Sequence, residues 1–394
     1  MYLSAKNFKS SGLDLSNVEY ISEVDYEKHF GKTKKAVTTP VKGDVLFGII
    51  GSLGTPYTVK DKDRFGLSSS VAILRPSKGL CSDYLYHFMT SSAFQSAVHA
   101  IKSGVAQGFL SLEMVKNLPL VTHEISVQKK IAAILSAYDE LIDNNQRRIV
   151  LLEKMAEEIY REWFVRLRFP GHDKVKFVKG VPEGWRLVKL ENAFRYTGGG
   201  TPTKEVGRYW DAGDVNWFTP SDITGAEGIF LDRSGEQCTD EGFNNSSAKM
   251  FPAYSVMLTS RATIGAVGIN LTTACTNQGF ITCIPNVQYP LPYLYHWIKL
   301  AKPHFELLSG GATFSELTKG TFKRIEILTP PEPLTTEFAR IELPLFKAIE
   351  NFLQVNRKLT ETRDNLLPRL ISGKLSVENL DIHFPPSMAA DAHA

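Results

Sequence analysis

The chain has 394 residues, 43% of them apolar and 22% charged, with a formal net charge of +3; these values fit soluble globular protein of about two to four domains. So weak a net charge neither requires nor excludes nucleic acid, because an electrostatic footprint depends on how charge is distributed. No stretch approaches the roughly 18 apolar residues of a membrane span, no basic-then-apolar leader opens the chain, and the four cysteines (Cys81, Cys238, Cys275, Cys283) lack C-x-x-C spacing and read as reduced thiols of a cytoplasmic protein.

In chain order, residues 1–125 read as a mixed α/β unit. Asp44 to Ile50 and Val71 to Leu74 are short apolar runs bounded by Gly, Ser and Pro, hence strands, and Tyr84 to Gln95 has the pattern of a helix. A helical segment follows over 126–171, free of Gly and Pro from Ser126 to Trp163. Its apolar residues Ile131, Leu135, Tyr138, Ile142, Ile149, Leu152, Ala156, Ile159 and Trp163 step by four and three, interrupted only by Asn145. That is a heptad seam, and about 40 helical residues would make a rod of roughly 60 Å. Asn145 either fixes register within the seam or lies at a solvated edge of a broad stripe. Gly171, after Pro170, is expected to end the helix.

Residues 172–334 form a second mixed unit that repeats the first about 210 positions later. Tyr84-Leu85-Tyr86-His87-Phe88 returns as Tyr293-Leu294-Tyr295-His296-Trp297, Val45-Leu46-Phe47 as Val256-Met257-Leu258, and Ser68-Ser69-Ser70 falls where Asn277-Gln278-Gly279 falls. A second helix is expected over 335–380, with the stripe Phe338, Ile341, Leu345, Ile349, Phe352, Leu359, Leu366 and Leu370. Pro344 should bend it or delay its start, and Pro368 should kink or end it. Residues 381–394 are expected to be a disordered tail. The fold class is therefore α+β: two pseudo-twofold-related globular mixed α/β units separated by two long antiparallel coiled-coil helices, whose seams pack on each other.

Gly31-Lys32-Thr33 and Gly373-Lys374-Leu375-Ser376 lack the earlier glycine of a phosphate loop. There is no G-x-S-x-G, no H-E-x-x-H, no Asn-Pro-Pro-aromatic segment and no carboxylate set at nuclease spacing. The sequence offers no catalytic constellation, metal site or cofactor motif. An unrecognised enzyme using the aromatics at Tyr84 to Phe88 or Tyr293 to Trp297 is a rival reading, but their helical spacing is that of core residues.

Val181-Pro182-Glu183-Gly184-Trp185, Gly199-Gly200-Thr201-Pro202 and Trp217-Phe218-Thr219-Pro220-Ser221-Asp222-Ile223 together resemble the opening of a target recognition domain of the specificity subunit of type I restriction–modification enzymes. Glu158 to Phe164 with Arg168-Phe169-Pro170-Gly171 resembles the end of that family's central helix, and Asn365 to Lys374 the end of its distal helix. The resemblance implies two target recognition domains that bind the halves of a split double-stranded DNA sequence. It also implies a helical pair acting as ruler and as docking site for two modification (methyltransferase) subunits. Adenine methylation and cleavage would then be performed by partner modification and restriction subunits. A scaffold that assembles methylase subunits without reading DNA is the alternative.

Candidate phosphate contacts are Lys32, Lys34, Lys35 and Lys42 in the first unit and Lys204, Arg208, Lys319, Lys323 and Arg324 in the second. The Gly198-Gly199-Gly200-Thr201 loop offers backbone amides that could approach a phosphate. Lys6 and Asn7, which align with Ser221 and Asp222, together with Gln107, Arg261, Gln278 and Thr313, are candidates for base reading. The second unit carries about 35 residues, Val181 to Asn216, ahead of the segment that aligns with Met1-Tyr2-Leu3-Ser4. Either the start of the chain is truncated or the first unit works with fewer strands, which would expose a sheet edge.

Overall fold

The computed structural model describes residues 1–9, 12–30, 38–103, 109–310 and 315–388. It divides into two compact units: Met1–Asn144 with Asn356–Ala394, and Asn145–Val355. The divisions fall inside the two long helices, so each unit is built on its own portion of both.

The central helix runs from Ile125 to Tyr160 and continues through a π turn, Arg161–Val165. The extra residue in that turn brings Trp163 and Phe164 onto the same packed side, where both rings contact Phe338, at 5.7 and 4.9 Å between centroids. The helix ends at Arg166, with Leu167 left-handed (φ 59°), rather than at Gly171, which lies in a later turn.

The distal helix is a single element from Glu332 to Ile371, so it starts three residues before Thr335 and neither proline delays or ends it. Pro344 and Pro368 are exposed, as are Arg340 and Asp364, whose carbonyls lose the usual N–H donor four residues on because proline has none; exposure leaves both sites open to water. The seam also differs from the expected stripe. Phe338, Ile349 and Leu370 are buried as expected, but Ile341 is exposed and Leu345 half-buried, whereas Glu342, Phe346 and Glu350, outside that stripe, are buried. Apolarity alone could not foresee this, because Glu342 faces inward to meet a buried histidine, His296.

Within each unit the two helices run antiparallel. In the first, Arg363 Nη1 donates to Asp139 Oδ1 (2.5 Å), Asn356 Nδ2 to the Ile142 carbonyl (3.3 Å) and His123 Nε2 to the Ile371 carbonyl (2.8 Å). Ile131 and Leu135 are buried there, with Tyr138, Ile142, Leu359 and Leu366 half-buried. In the second, Arg148 lies over the Phe352 ring and Tyr160 contacts Phe338, while Ile149 is buried and Leu152 half-buried. Asn145 is itself buried.

The first unit holds the sheet Pro56–Thr58, Val45–Gly48, Val71–Leu74 and the parallel pair Tyr2–Leu3 with Gly66–Leu67. The second holds a five-stranded sheet in the order Arg195–Gly198, Phe280–Ile284, Val256–Thr259, Val267–Asn270, Phe230–Leu231. Beside it lie a three-stranded sheet, Glu236–Cys238, Val215–Phe218, Ala274–Thr276, and the pair Arg186–Lys189 with Glu326–Thr329.

The sequence duplication is a structural one. Val45–Gly48 pairs antiparallel with Val71–Leu74 as Val256–Thr259 does with Phe280–Ile284. Left-handed residues recur at a constant offset of 211: Gly43 with Tyr254, Gly51 with Ala262, and Gly54 with Gly265. Tyr254 and Ala262 adopt a conformation disfavoured for side-chain-bearing residues, which the surrounding strands impose. Tyr84 Oη donates to the Val121 carbonyl (2.8 Å), and Tyr293 Oη donates to the equivalent Leu328 carbonyl (3.3 Å). The repeated aromatics are core: Tyr84, His87, Phe88, Tyr293, Tyr295 and His296 are all buried.

Of the tail expected to be disordered, the described residues 381–388 lie against the first unit. Ile382 and Phe384 pack on the core of the first unit, Met388 is buried, and the Ser387 N–H donates to Glu140 Oε1 (3.1 Å). Apolar residues spaced among prolines let an irregular segment bury area without regular structure. Among the described residues, no helix is long and apolar enough to cross a membrane.

Candidate nucleic-acid interface

In the second unit four separate segments converge through backbone hydrogen bonds. The Gly200 N–H donates to the Thr276 carbonyl (2.9 Å), Asn277 N–H to the Phe218 carbonyl (3.0 Å), Ser260 N–H to the Gly279 carbonyl (2.8 Å) and Leu317 N–H to the Ser260 carbonyl (2.9 Å). These bonds tie together residues 198–201, 218–222, 259–262 and 276–279, with 315–319 joined at the edge.

Each segment has a local reason for its shape. Asn277 Oδ1 accepts the Gly279 N–H (2.9 Å), an Asx turn that leaves Gln278 between them exposed. Thr201 Oγ1 donates to Gln278 Oε1 (2.6 Å), which fixes the amide; its Nε2 has no protein partner among the described residues. Arg261 and Glu316 form an isolated bridge with Nε 2.9 Å from Oε1. That pairing uses Nε, and both terminal guanidinium nitrogens remain for the two parallel bonds by which arginine recognises guanine. Lys319, exposed, lies across Gly198: a Cβ built on that glycine would sit 2.0 Å from Nζ. Ser221, also exposed, opens the short helix Pro220–Thr224.

Several expected site residues have other work. The glycine loop is packed backbone to backbone: a Cβ on Gly199 would lie 2.0 Å from the Thr276 oxygen, and one on Gly200 would lie 2.5 Å from the Ala248 nitrogen. With the Gly200 N–H already donated, this loop is a close-packed crossing rather than a phosphate cradle. Asp222 accepts from Thr219 N–H (2.6 Å) and Oγ1 (2.8 Å) through Oδ2, and from the Gly235 N–H (2.8 Å) through Oδ1. Asn7 does the same for Ser4 N–H (3.0 Å), and its Nδ2 donates to the Asp14 and Asn17 carbonyls. Both are helix-start caps with their hydrogen-bonding capacity largely used, so neither is free to read a base. Lys6 beside Asn7 is exposed.

Four of the six candidate phosphate cations among the described residues are paired. Lys204 binds Glu236 (2.7 Å) and stands over the rings of Trp210 (3.6 Å) and Trp217 (4.6 Å). Arg208 pairs with Glu241 (2.9 Å), Lys42 with Asp61 (3.0 Å) and Lys323 more loosely with Glu191 (4.0 Å). Lys204 is thereby a structural corner, held by a carboxylate and two indoles. The others are exposed pairs of small energy. Lys32, Lys34, Lys35, Gln107 and Thr313 lie outside the described residues.

The sequence reading missed what the first unit carries at the positions equivalent to Arg261 and Glu316. Ile50 and Phe109 form the equivalent bridge and are 45% and 38% exposed, an apolar pair where the second unit has a charged one. The Leu110 N–H donates to the Ile49 carbonyl (2.8 Å), as the Leu317 N–H does to that of Ser260. The constant offset of 211 aligns Ile50 with Arg261 and was the available signal.

The family described as "Type I restriction modification DNA specificity domain" matches residues 3–154 and 182–360 of this chain. The chain is similar to the type I restriction enzyme MjaIX specificity subunit of Methanocaldococcus jannaschii, at 32% identity over 199 residues, 50% of this chain and 46% of that protein. It is similar to the type I restriction enzyme HindI specificity subunit of Haemophilus influenzae at 24% identity, over 93% of this chain and 94% of that one. It thus spans just under half of the first relative and nearly all of the second. Among solved structures, the type I restriction–modification system S subunit from M. genitalium has a similar fold, with a TM-score of 0.53 at 17% identity over 84% of each chain.

Proposed function

Because this chain belongs to the type I restriction–modification DNA specificity family, we propose that it is the DNA-recognition subunit of such a system, each of its two units reading one half of a split double-stranded target. The observation that carries this reading is the structural duplication: the same strand pairing, the same left-handed positions and the same tyrosine-to-carbonyl bond occur in both units. Both family matches fall on that duplication.

In the second unit the exposed Gln278 amide, the Arg261 guanidinium and Ser221 contact base edges, and Lys319 contacts phosphate. Gln and Arg suit adenine and guanine edges respectively, because each presents two polar atoms in one plane. In the first unit Ile50 and Phe109 supply apolar contact of the kind a thymine methyl group accepts. Catalysis belongs to partners: two modification subunits that methylate adenine and restriction subunits that cleave. The chain works with them in the cytoplasm. No observation favours a scaffold that leaves DNA unread.

The test is co-expression with the neighbouring modification subunit, followed by mapping of methylated adenines across the host genome. A single split motif with two unlike halves is the expected result; methylation without a defined motif, or none from a stable complex, would overturn the reading.

A further inference from the structure

The backbone crossing that joins the candidate segments of the second unit has a bond-for-bond counterpart in the first. Where the Asn277 N–H donates to the Phe218 carbonyl, the Ser68 N–H donates to that of Leu3 (2.8 Å). Where the Ser260 N–H donates to the Gly279 carbonyl, the Ile49 N–H donates to that of Ser70 (2.8 Å). The strand registers agree, since Gly48 lies opposite Val71 as Thr259 lies opposite Phe280. Together these pairings align Lys6 with Ser221, Ile50 with Arg261 and Ser69 with Gln278.

The turn that carries Ser69 is shaped as the Gln278 turn is, by different atoms. Ser68 Oγ accepts the Ser70 N–H (3.3 Å), as Asn277 Oδ1 accepts the Gly279 N–H (2.9 Å). The hydroxyls of Ser68 and Ser70 are bonded to each other (2.5 Å), and Ser70 Oγ accepts the Ala5 N–H (3.0 Å). Both outer serines are half-buried and occupied by the fold. Ser69 between them is exposed, and its hydroxyl has no protein partner among the described residues.

The two turn tips differ in what they can tell apart. Gln278 presents a planar amide whose donor and acceptor together match the two polar groups of an adenine edge. A serine hydroxyl donates and accepts through one rotating atom, so it bonds to donors and acceptors alike and distinguishes bases poorly. We infer that Ser69 makes the first half-site tolerant of more than one base at the position its turn faces, while Gln278 restricts the equivalent position of the second. The inference rests on the reading of both units as DNA-contacting, and it adds which residue sets the stringency of each half. Lys6 beside the turn is exposed and suits a guanine edge, so the rest of the first half-site stays defined.

The test maps methylated adenines in cells that co-express the modification subunit with the wild-type chain, Ser69→Gln or Gln278→Ser. The wild-type motif should hold one position of relaxed identity, in the half that Gln278→Ser leaves unchanged. Gln278→Ser should relax one position of the other half. Ser69→Gln should narrow the tolerant position, favouring adenine about fivefold or more over each other base. Ser69→Asn, with the same amide on a shorter stem, is the second variant, and thermal transitions should match the wild type because residues 69 and 278 are exposed. A wild-type motif defined at every position of both halves overturns the inference and leaves the DNA-recognition reading standing. So does a motif that neither Ser69→Gln nor Ser69→Asn moves in a folded complex. No motif from the wild-type complex overturns that reading, and the inference with it.

Discussion

Arg261 and Glu316 face each other across a β-bridge with their charged atoms 2.9 Å apart, at the position where the first unit juxtaposes Ile50 and Phe109. Glu316 holds the guanidinium through Nε in one orientation, so this residue is pre-ordered for contact, and the two units present unlike chemistry at the same place in the fold.

Arg261→Ala should therefore cost about 1–3 kcal/mol of DNA binding and relax one position of one half-site, and Gln278→Ala should do the same at another position. Glu316→Ala should weaken discrimination at the Arg261 position by less, since the arginine remains but is no longer held. Methylation mapping of each variant reads this out; unchanged motifs for both Arg261→Ala and Gln278→Ala would remove these residues from the site.

Lys319→Ala should weaken binding to all sequences alike and lower the salt dependence by about one unit of slope, the signature of a lost phosphate contact. Titrations at several salt concentrations, on cognate and unrelated duplexes, separate this from a base contact.

Asp222→Ala and Asn7→Ala should each destabilise their unit by about 1–2 kcal/mol, the cost of an N-terminal cap, and leave the recognised motif intact. Urea denaturation alongside motif mapping checks both halves of the statement. A shifted motif at full stability would reinstate these residues as base readers.

Phe338→Ala should cost about 3–5 kcal/mol, because the ring is fully buried between Tyr160, Trp163, Phe164 and Tyr293. Denaturation followed by tryptophan fluorescence reports it, since Trp163 lies in the same cluster.

His296 Nε2 is 3.2 Å from Glu342 Oε2, and both side chains are buried. Burial pushes the Glu342 carboxyl up to about 8 and the imidazole down to about 3, so near neutrality the pair is uncharged and shares one proton. A folded value raised above the usual 4.5 gives stability that is present below 4.5 and lost as pH rises through about 8. A folded histidine value depressed from 6.5 gives stability that is present above 6.5 and lost as pH falls through about 3. Between 6.5 and 8 only the carboxyl contributes a slope, so the chain should lose stability with rising pH there. Glu342→Gln should flatten that limb, as measured by denaturation midpoints across the range.

The amino-acid order alone determined the duplication, the two long helices and the family resemblance, because these are written in local periodicity and in repeated short motifs. It could not give the rotation of the distal helix, where Glu342 turns inward to meet His296 from a segment 46 positions away. Nor could it separate Asn7 and Asp222, which cap helix starts, from Gln278, which stays exposed, since all three are polar residues in the sequence and only their hydrogen-bond partners tell them apart. The glycine loop shows the same limit: its sequence permits a phosphate cradle, and only the Thr276 and Ala248 backbones pressed against it make it a packed crossing. Which polar groups remain available to a ligand is decided by which ones the folded chain has already paired, and that pairing is set by contacts far apart in sequence.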